Sequence, residues 1–139
     1  MADPLLTRID HVGIACHDLD AAIERYQTIF GLAVVARETN EEQGVHEAML
    51  AVVAGSYVQL LAPTRPESPV GRFLARRGEG VHHIGYGVED VESALGSLRG
   101  QGVRLVDQRA RHGSMGAAIA FLHPSDVGGV LTELVQATP

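Results

Sequence analysis

The chain has 139 residues, of which 45% are hydrophobic and 20% are charged, and its formal net charge is −6. This length and composition predict a single globular domain over residues 1–139. The acidic balance argues against a nucleic-acid partner, because such proteins usually present a broad basic surface. The apolar runs fall well short of the roughly 20 residues of a membrane helix, and residues 1–8 lack the pattern of a signal peptide. We therefore expect no nucleic acid and no membrane among the partners.

Cys16 is the only cysteine of the chain. One cysteine cannot form an internal disulfide, which suits a reducing compartment. The expected location is the cytoplasm.

Hydrophobic patterning divides the first part of the chain into a strand, a helix and three further strands. The strands are predicted at 9–15 and near 32–37, 46–53 and 56–62, and the helix at 18–30. Asp18 is a suitable N-cap for this helix, and Gly31 a suitable end. A linker over 63–80 contains a second predicted helix, with Ser68 as N-cap and Pro69 at its first position.

The same order of elements follows in the second part of the chain. A strand is predicted at 81–88, a helix at 90–100, and strands near 103–106, 116–122 and 130–136. Asp90 is the expected N-cap, and Gly100 or Gly102 the expected end of the helix.

The two parts are an internal repeat. Residues 9–15 (IDHVGIA) are echoed by residues 81–87 (VHHIGYG), with a histidine third and a glycine fifth in each. Residues 57–61 likewise resemble residues 131–135. The repeat predicts an α+β fold of two βαβββ modules, the first over about 8–62 and the second over about 81–136, whose curled mixed sheet surrounds a shared cleft.

Four polar residues occupy equivalent places in the first and last strands of the modules: His11, Gln59, His83 and Glu133. Because side chains alternate along a strand, the same face carries only small residues beyond each histidine, which leaves room for a cavity. Two imidazoles, an amide oxygen and a carboxylate are a donor set for a divalent ion such as Co²⁺, Mn²⁺, Ni²⁺, Mg²⁺ or Zn²⁺. The alternative, hydrogen-bonded structural residues, is disfavoured by the repetition.

Glu47 lies within a predicted strand whose same-face neighbours are Met49 and Ala51. A carboxylate in such a place is costly unless it is paired or functional. The residues alone leave two interpretations open, a solvated edge-strand glutamate and a general base.

The chain resembles the vicinal oxygen chelate superfamily and, within it, the methylmalonyl-CoA epimerase family. The resemblance extends from about residue 8 to residue 136 and depends on the strings at 9–12, 42–47, 78–84, 121–124 and 128–134. It implies that His11, Gln59, His83 and Glu133 bind the metal, with Co²⁺ as the first expectation, and that Glu47 is a catalytic acid/base.

The implied reaction interconverts the two C2 epimers of methylmalonyl-CoA, or of a related 2-substituted malonyl-CoA, by proton removal and return through a metal-stabilised enolate. Glu133 is our candidate for the second acid/base, and a single base with exchange through water is the alternative. The resemblance also suggests a homodimer, because sheet edges in this fold often pair between subunits.

Two further groups are candidates for substrate binding. Gly113, Ser114 and Met115 lie in a glycine-rich turn whose N–H groups could bind the substrate carboxylate, although an ordinary hairpin loop fits equally well. Arg72 and Arg76, on the linker helix, could contact the CoA phosphates or form a solvated helix face.

Three rival functions share the fold. One is a glyoxalase I-like isomerisation of a hemithioacetal, which needs a similar metal site. Another is an extradiol dioxygenase, which is disfavoured because its iron takes two histidines and one carboxylate. The third is a metal-free small-molecule-binding protein, against which the four ligand candidates argue.

Overall fold

The computed structural model describes residues 4–136 and contains, over that range, three α-helices and eight strands. They follow in the order β1 (Arg8–Ala15), α1 (Leu19–Phe30), β2 (Ala33–Asn40), β3 (Val45–Val53), β4 (Ser56–Pro63), α2 (Pro69–Arg77), β5 (Gly80–Gly87), α3 (Val91–Gly100), β6 (Arg111–His112), β7 (Ala118–Leu122) and β8 (Thr132–Gln136). Short 3₁₀ turns lie at Ser114–Gly116 and Pro124–Val127. None of the helices within 4–136 is long and apolar enough to cross a membrane.

The chain divides into two compact units, one over residues 11–82 and the other over residues 4–10 and 83–136. In the first unit the strand order is β2-β3-β4-β1. The β2–β3 and β3–β4 pairs are antiparallel, and β1 pairs with β4 in parallel. Leu50 and Leu60 are fully buried beneath Ile23 of α1, so one face of this sheet forms the core.

The three predicted helix-end signals of the first unit, at α1 and α2, are confirmed. The Asp18 carboxylate accepts a hydrogen bond from the Ala21 amide at 3.1 Å, and Gly31 ends α1 with φ 69°. That left-handed conformation favours glycine because it has no Cβ. Ser68 caps α2 by accepting from the Gly71 amide at 3.2 Å.

The second unit repeats this plan with the strand order β5-β8-β7-β6. The β8–β7 and β7–β6 pairs are antiparallel, and β5 pairs with β8 in parallel. Val91 and Leu95 of α3 pack on Leu134 in the core. The N-terminal segment belongs to this unit, since the Thr7 amide donates to the Gly87 carbonyl at 2.8 Å.

One predicted strand is wrong. Residues 103–106 form no strand and contribute only an isolated bridge between Leu105 and Leu122, whereas the edge strand β6 lies further along, at Arg111–His112. The amides of Val106 and Asp107 both donate to the Phe121 carbonyl, at 2.9 and 3.2 Å, which breaks the regular ladder. The chain therefore bends away before it pairs again.

Cys16 lies in the core of the first unit, where its thiol donates to the Leu61 carbonyl at 3.4 Å. Burial, aided by the negative charges of Glu79 and Asp18, raises the pKa of the Cys16 thiol to about 11. Because the nucleophilic thiolate is scarce at neutral pH, this cysteine serves as a small core residue.

Candidate active site

Three buried polar side chains share one face of the first unit's sheet: His11, Glu47 and Gln59. Gly13 pairs with Gln59, and His11 lies two residues before Gly13, so the imidazole and the amide project to the same side. Glu47 pairs with Leu61, two residues beyond Gln59, and shares that side as well. The alternation of strand residues thus groups three candidate site residues on one surface.

A hydrogen bond joins two of these side chains. Gln59 Nε2 donates to Glu47 Oε2 at 2.9 Å, and both residues are buried. Because the nitrogen is the donating end of an amide, this contact places the Gln59 nitrogen toward Glu47 and directs its oxygen elsewhere. The interpretation of Glu47 as a solvated edge-strand glutamate is therefore wrong, since only 4% of the residue is exposed.

The second unit carries a matching pair on its sheet. Gly85 pairs with Glu133, and His83 lies two residues before Gly85, so His83 and Glu133 project to the same face. His83 Nε2 lies 3.2 Å from Glu133 Oε1, and both side chains are less than one-tenth exposed. A buried imidazole beside a buried carboxylate is an arrangement that ion coordination or hydrogen bonding can stabilise.

Phe121 completes this face of the second unit and was not identified from the sequence. It pairs with Glu133, and its ring meets that of His83 edge-on with the ring centres 5.5 Å apart. The repeat offered a signal for it, because Met49 pairs with Gln59 in the same way in the first unit. Phe121 therefore restricts the orientation of the His83 imidazole.

The donor atoms suit a divalent ion. His83 and Glu133 bring a nitrogen and a carboxylate oxygen close together, and the Gln59 amide directs its oxygen away from Glu47. Nitrogen and oxygen donors of this kind match borderline and hard divalent ions. The residues present thus fit the metal that the resemblance implies.

The predicted substrate-binding residues occupy two different settings. Gly113 is packed so closely on Ile119 that a Cβ atom would lie 2.6 Å from a side-chain carbon, and Met115 has a left-handed φ of 57°. Ser114 lies between them and begins the 3₁₀ turn, which contains Met115. Arg72 and Arg76 are exposed on α2.

The sequence profile of the Glyoxalase/Bleomycin resistance protein/Dioxygenase superfamily matches residues 10–121. The chain belongs to this superfamily. Among its solved relatives is a methylmalonyl-CoA epimerase in complex with methylmalonyl-CoA and NH4+, which is 55% identical with a TM-score of 0.91 over 96% of each chain. A variant of the Streptomyces coelicolor methylmalonyl-CoA epimerase, in complex with 2-nitronate-propionyl-CoA, is 54% identical with a TM-score of 0.92 over 96% of this chain and 99% of the other.

A further relative in the superfamily is named for two substrates. The ethylmalonyl-CoA/methylmalonyl-CoA epimerase of Cereibacter sphaeroides is 34% identical over 95% of this chain and 99% of the relative. The likeness to these members confirms the predicted vicinal oxygen chelate fold with its two βαβββ modules.

Proposed function

We propose that this protein is a metal-dependent isomerase that interconverts the (2R) and (2S) epimers of methylmalonyl-CoA. The observation that carries the proposal is the buried Glu47 carboxylate, held by Gln59 on the strand face that also bears His11. A general base for a carbon acid must be positioned and shielded from bulk water. Identities of 54–55% to methylmalonyl-CoA epimerases support the choice of substrate.

His11, Gln59, His83 and Glu133 would hold the metal. The first three offer two imidazole nitrogens and an amide oxygen, and Glu133 offers a carboxylate oxygen. When bound, such an ion supplies Lewis-acid stabilisation of the negative charge that develops on the thioester oxygen.

Glu47 then acts as the base that takes the C2 proton. That proton lies between a thioester carbonyl and a carboxylate, so its removal leaves a delocalised negative charge. The hydrogen bond from Gln59 holds the Glu47 carboxylate in one orientation, which favours proton transfer by fixing the geometry beforehand.

Return of a proton to the opposite face of C2 requires a second donor. We propose Glu133 for this role, because its carboxylate is buried on the corresponding face of the second unit. A single base that exchanges its proton through water is the alternative.

Two groups are proposed to bind the rest of the substrate. Gly113, Ser114 and Met115 would hold the substrate carboxylate through backbone N–H groups and the Ser114 hydroxyl. Arg72 and Arg76 would contact the CoA phosphates, which is consistent with their exposure on α2.

We further propose Co²⁺ as the ion, with Mn²⁺, Ni²⁺, Mg²⁺ and Zn²⁺ as alternatives, a homodimeric state and a cytoplasmic location. The last is supported by the free, buried thiol of Cys16.

The decisive test is proton NMR of methylmalonyl-CoA in D₂O with cobalt-loaded protein. We expect rapid uptake of deuterium at C2 together with interconversion of the epimers. Glu47→Gln keeps the size of the side chain and removes the base, so exchange should fall by about 10²- to 10⁴-fold.

Glu24→Gln, on the exposed surface of α1, is the matched control and should behave as the wild type. No exchange above the uncatalysed rate with the metal-loaded wild type would refute the epimerase, and turnover of a hemithioacetal would then support the glyoxalase-like alternative.

A further inference from the structure

Arg111 places a guanidinium on the face of the second unit that carries His83 and Glu133. Arg111 pairs with Ile119 in the β6–β7 ladder, and Ile119 shares its face with Phe121. Phe121 in turn pairs with Glu133. Because residues two apart along a strand and residues paired across strands point to the same side, all of these side chains lie on one surface.

The side chain extends over the ring of Phe121. Its guanidinium carbon lies 5.8 Å from the centre of the Phe121 ring, and that ring contacts His83. A single aromatic ring therefore separates the positive charge from a proposed metal ligand.

Asp107 holds the guanidinium in this place. Arg111 Nε lies 3.3 Å from Asp107 Oδ1, while Asp107 Oδ2 accepts a hydrogen bond from the Phe121 amide at 2.8 Å. The Asp107 carboxylate is thus fixed to the strand that carries Phe121, and it forms an ion pair with the Nε side of the Arg111 guanidinium. The Arg111 side chain is 31% exposed, so solvent reaches part of it although its neighbours order it.

We propose that Arg111 is a specificity-determining residue that recognises the free carboxylate of a 2-substituted malonyl-CoA, together with the neighbouring turn at Gly113, Ser114 and Met115. This inference rests on the proposed function. A guanidinium binds a carboxylate through parallel charge-assisted hydrogen bonds, and a guanidinium that is already ordered loses little entropy in doing so. The acyl carboxylate, next to the reacting carbon, is the substrate anion that lies close to the metal ligands. The pantetheine arm keeps the CoA phosphates away from that end of the molecule.

The test compares two ligands that differ by this carboxylate. Calorimetric titration of the metal-loaded protein with methylmalonyl-CoA and with propionyl-CoA, which lacks the carboxylate, separates recognition of that group from binding of CoA. Arg111→Met should lower the affinity for methylmalonyl-CoA by about 10- to 100-fold, the usual effect of losing a charge-assisted hydrogen bond. The affinity for propionyl-CoA should stay unchanged. Arg109→Met removes an exposed arginine two residues away and should alter neither affinity.

Arg111→Lys is a second variant that is less disruptive to folding, because it keeps a positive charge next to Asp107. It lacks the planar guanidinium that binds a carboxylate through two parallel hydrogen bonds. We expect a smaller loss, again confined to methylmalonyl-CoA. Equal losses for both ligands in either variant, or no loss in Arg111→Met, would overturn the inference. If the proposed function itself is wrong, the wild type will show no deuterium exchange at C2, whatever its affinities for methylmalonyl-CoA and propionyl-CoA are.

Discussion

The side chain of Gln59 has two chemically different ends, and each meets a different requirement of the proposed site. Its nitrogen donates to Glu47 at 2.9 Å, and in our proposal its oxygen binds the metal ion. In this proposal one residue links the geometry of the base to that of the metal. A carboxylate here would instead repel Glu47, which explains why an amide suits this position even though Glu133 occupies the equivalent one.

We predict that Gln59→Leu lowers the affinity for Co²⁺ by at least about 10-fold, because it removes a ligand atom without changing the size of the side chain greatly. Titration calorimetry of the metal-free protein with CoCl₂ measures the change. Gln27→Leu, on the exposed face of α1, is the control. Equal affinities of Gln59→Leu and the wild type would remove Gln59 from the ligand set.

Glu47 could be singled out from the sequence alone because a carboxylate in an apolar strand is an anomaly. Arg111 could not. Its place on the sheet face that carries His83 and Glu133 depends on β6, a strand of only two residues, which is too short for a periodic pattern to predict. The contact with Asp107 likewise depends on the bend that replaced the predicted strand at 103–106.

The helices were the elements that the sequence predicted most closely. α1 and α3 both begin one residue after their aspartate caps, because a side chain that accepts an N-terminal amide is a local signal. β2 was predicted to end near residue 37 but continues to Asn40, since its length is set by the nonlocal partner β3. Local chemistry defines helix ends, and tertiary pairing defines strand ends.

The N-capping role of Ser68 in α2 can be tested by mutation. Ser68 is 1% exposed, accepts from the Gly71 amide and donates to the Arg65 carbonyl at 2.9 Å. Ser68→Ala should lower the free energy of unfolding by about 1–2 kcal/mol, because it leaves both backbone groups without these bonds.

Urea denaturation followed by circular dichroism measures this loss. Ser97→Ala, at an exposed position of α3, is the matched control and should change stability by only a few tenths of a kcal/mol. A loss in Ser68→Ala no larger than that of the control would contradict a capping role.

At the scale of the whole molecule, the internal repeat was the most informative feature of the sequence. Two separate motifs recur at nearly the same spacing, and the structure gives both units the same strand order and the same register around Gln59 and Glu133. The fold was therefore predictable before any single strand boundary was. The repeat says nothing about assembly, which depends on surfaces outside the repeated motifs.

We predict a homodimer, for which sedimentation equilibrium at micromolar concentration should give twice the chain mass of 14.8 kDa. Ile29 and Phe30, adjacent and largely exposed at the end of α1, are consistent with association, because exposed apolar patches often mark interfaces. The mass of a single chain under these conditions would contradict the prediction.

The two units differ at one register position. Glu47 stands opposite Leu61, two residues beyond Gln59, and Ile119 stands opposite Val135, two residues beyond Glu133. A duplicated chain would have begun with the same residue in both places, and only one copy now bears an acid. With Glu47 as the base on one face of C2 and Glu133 as the proposed partner on the other, the two carboxylates lie in different surroundings. The two proton-transfer steps would then have separate barriers, and their hydrogen isotope effects need not be equal.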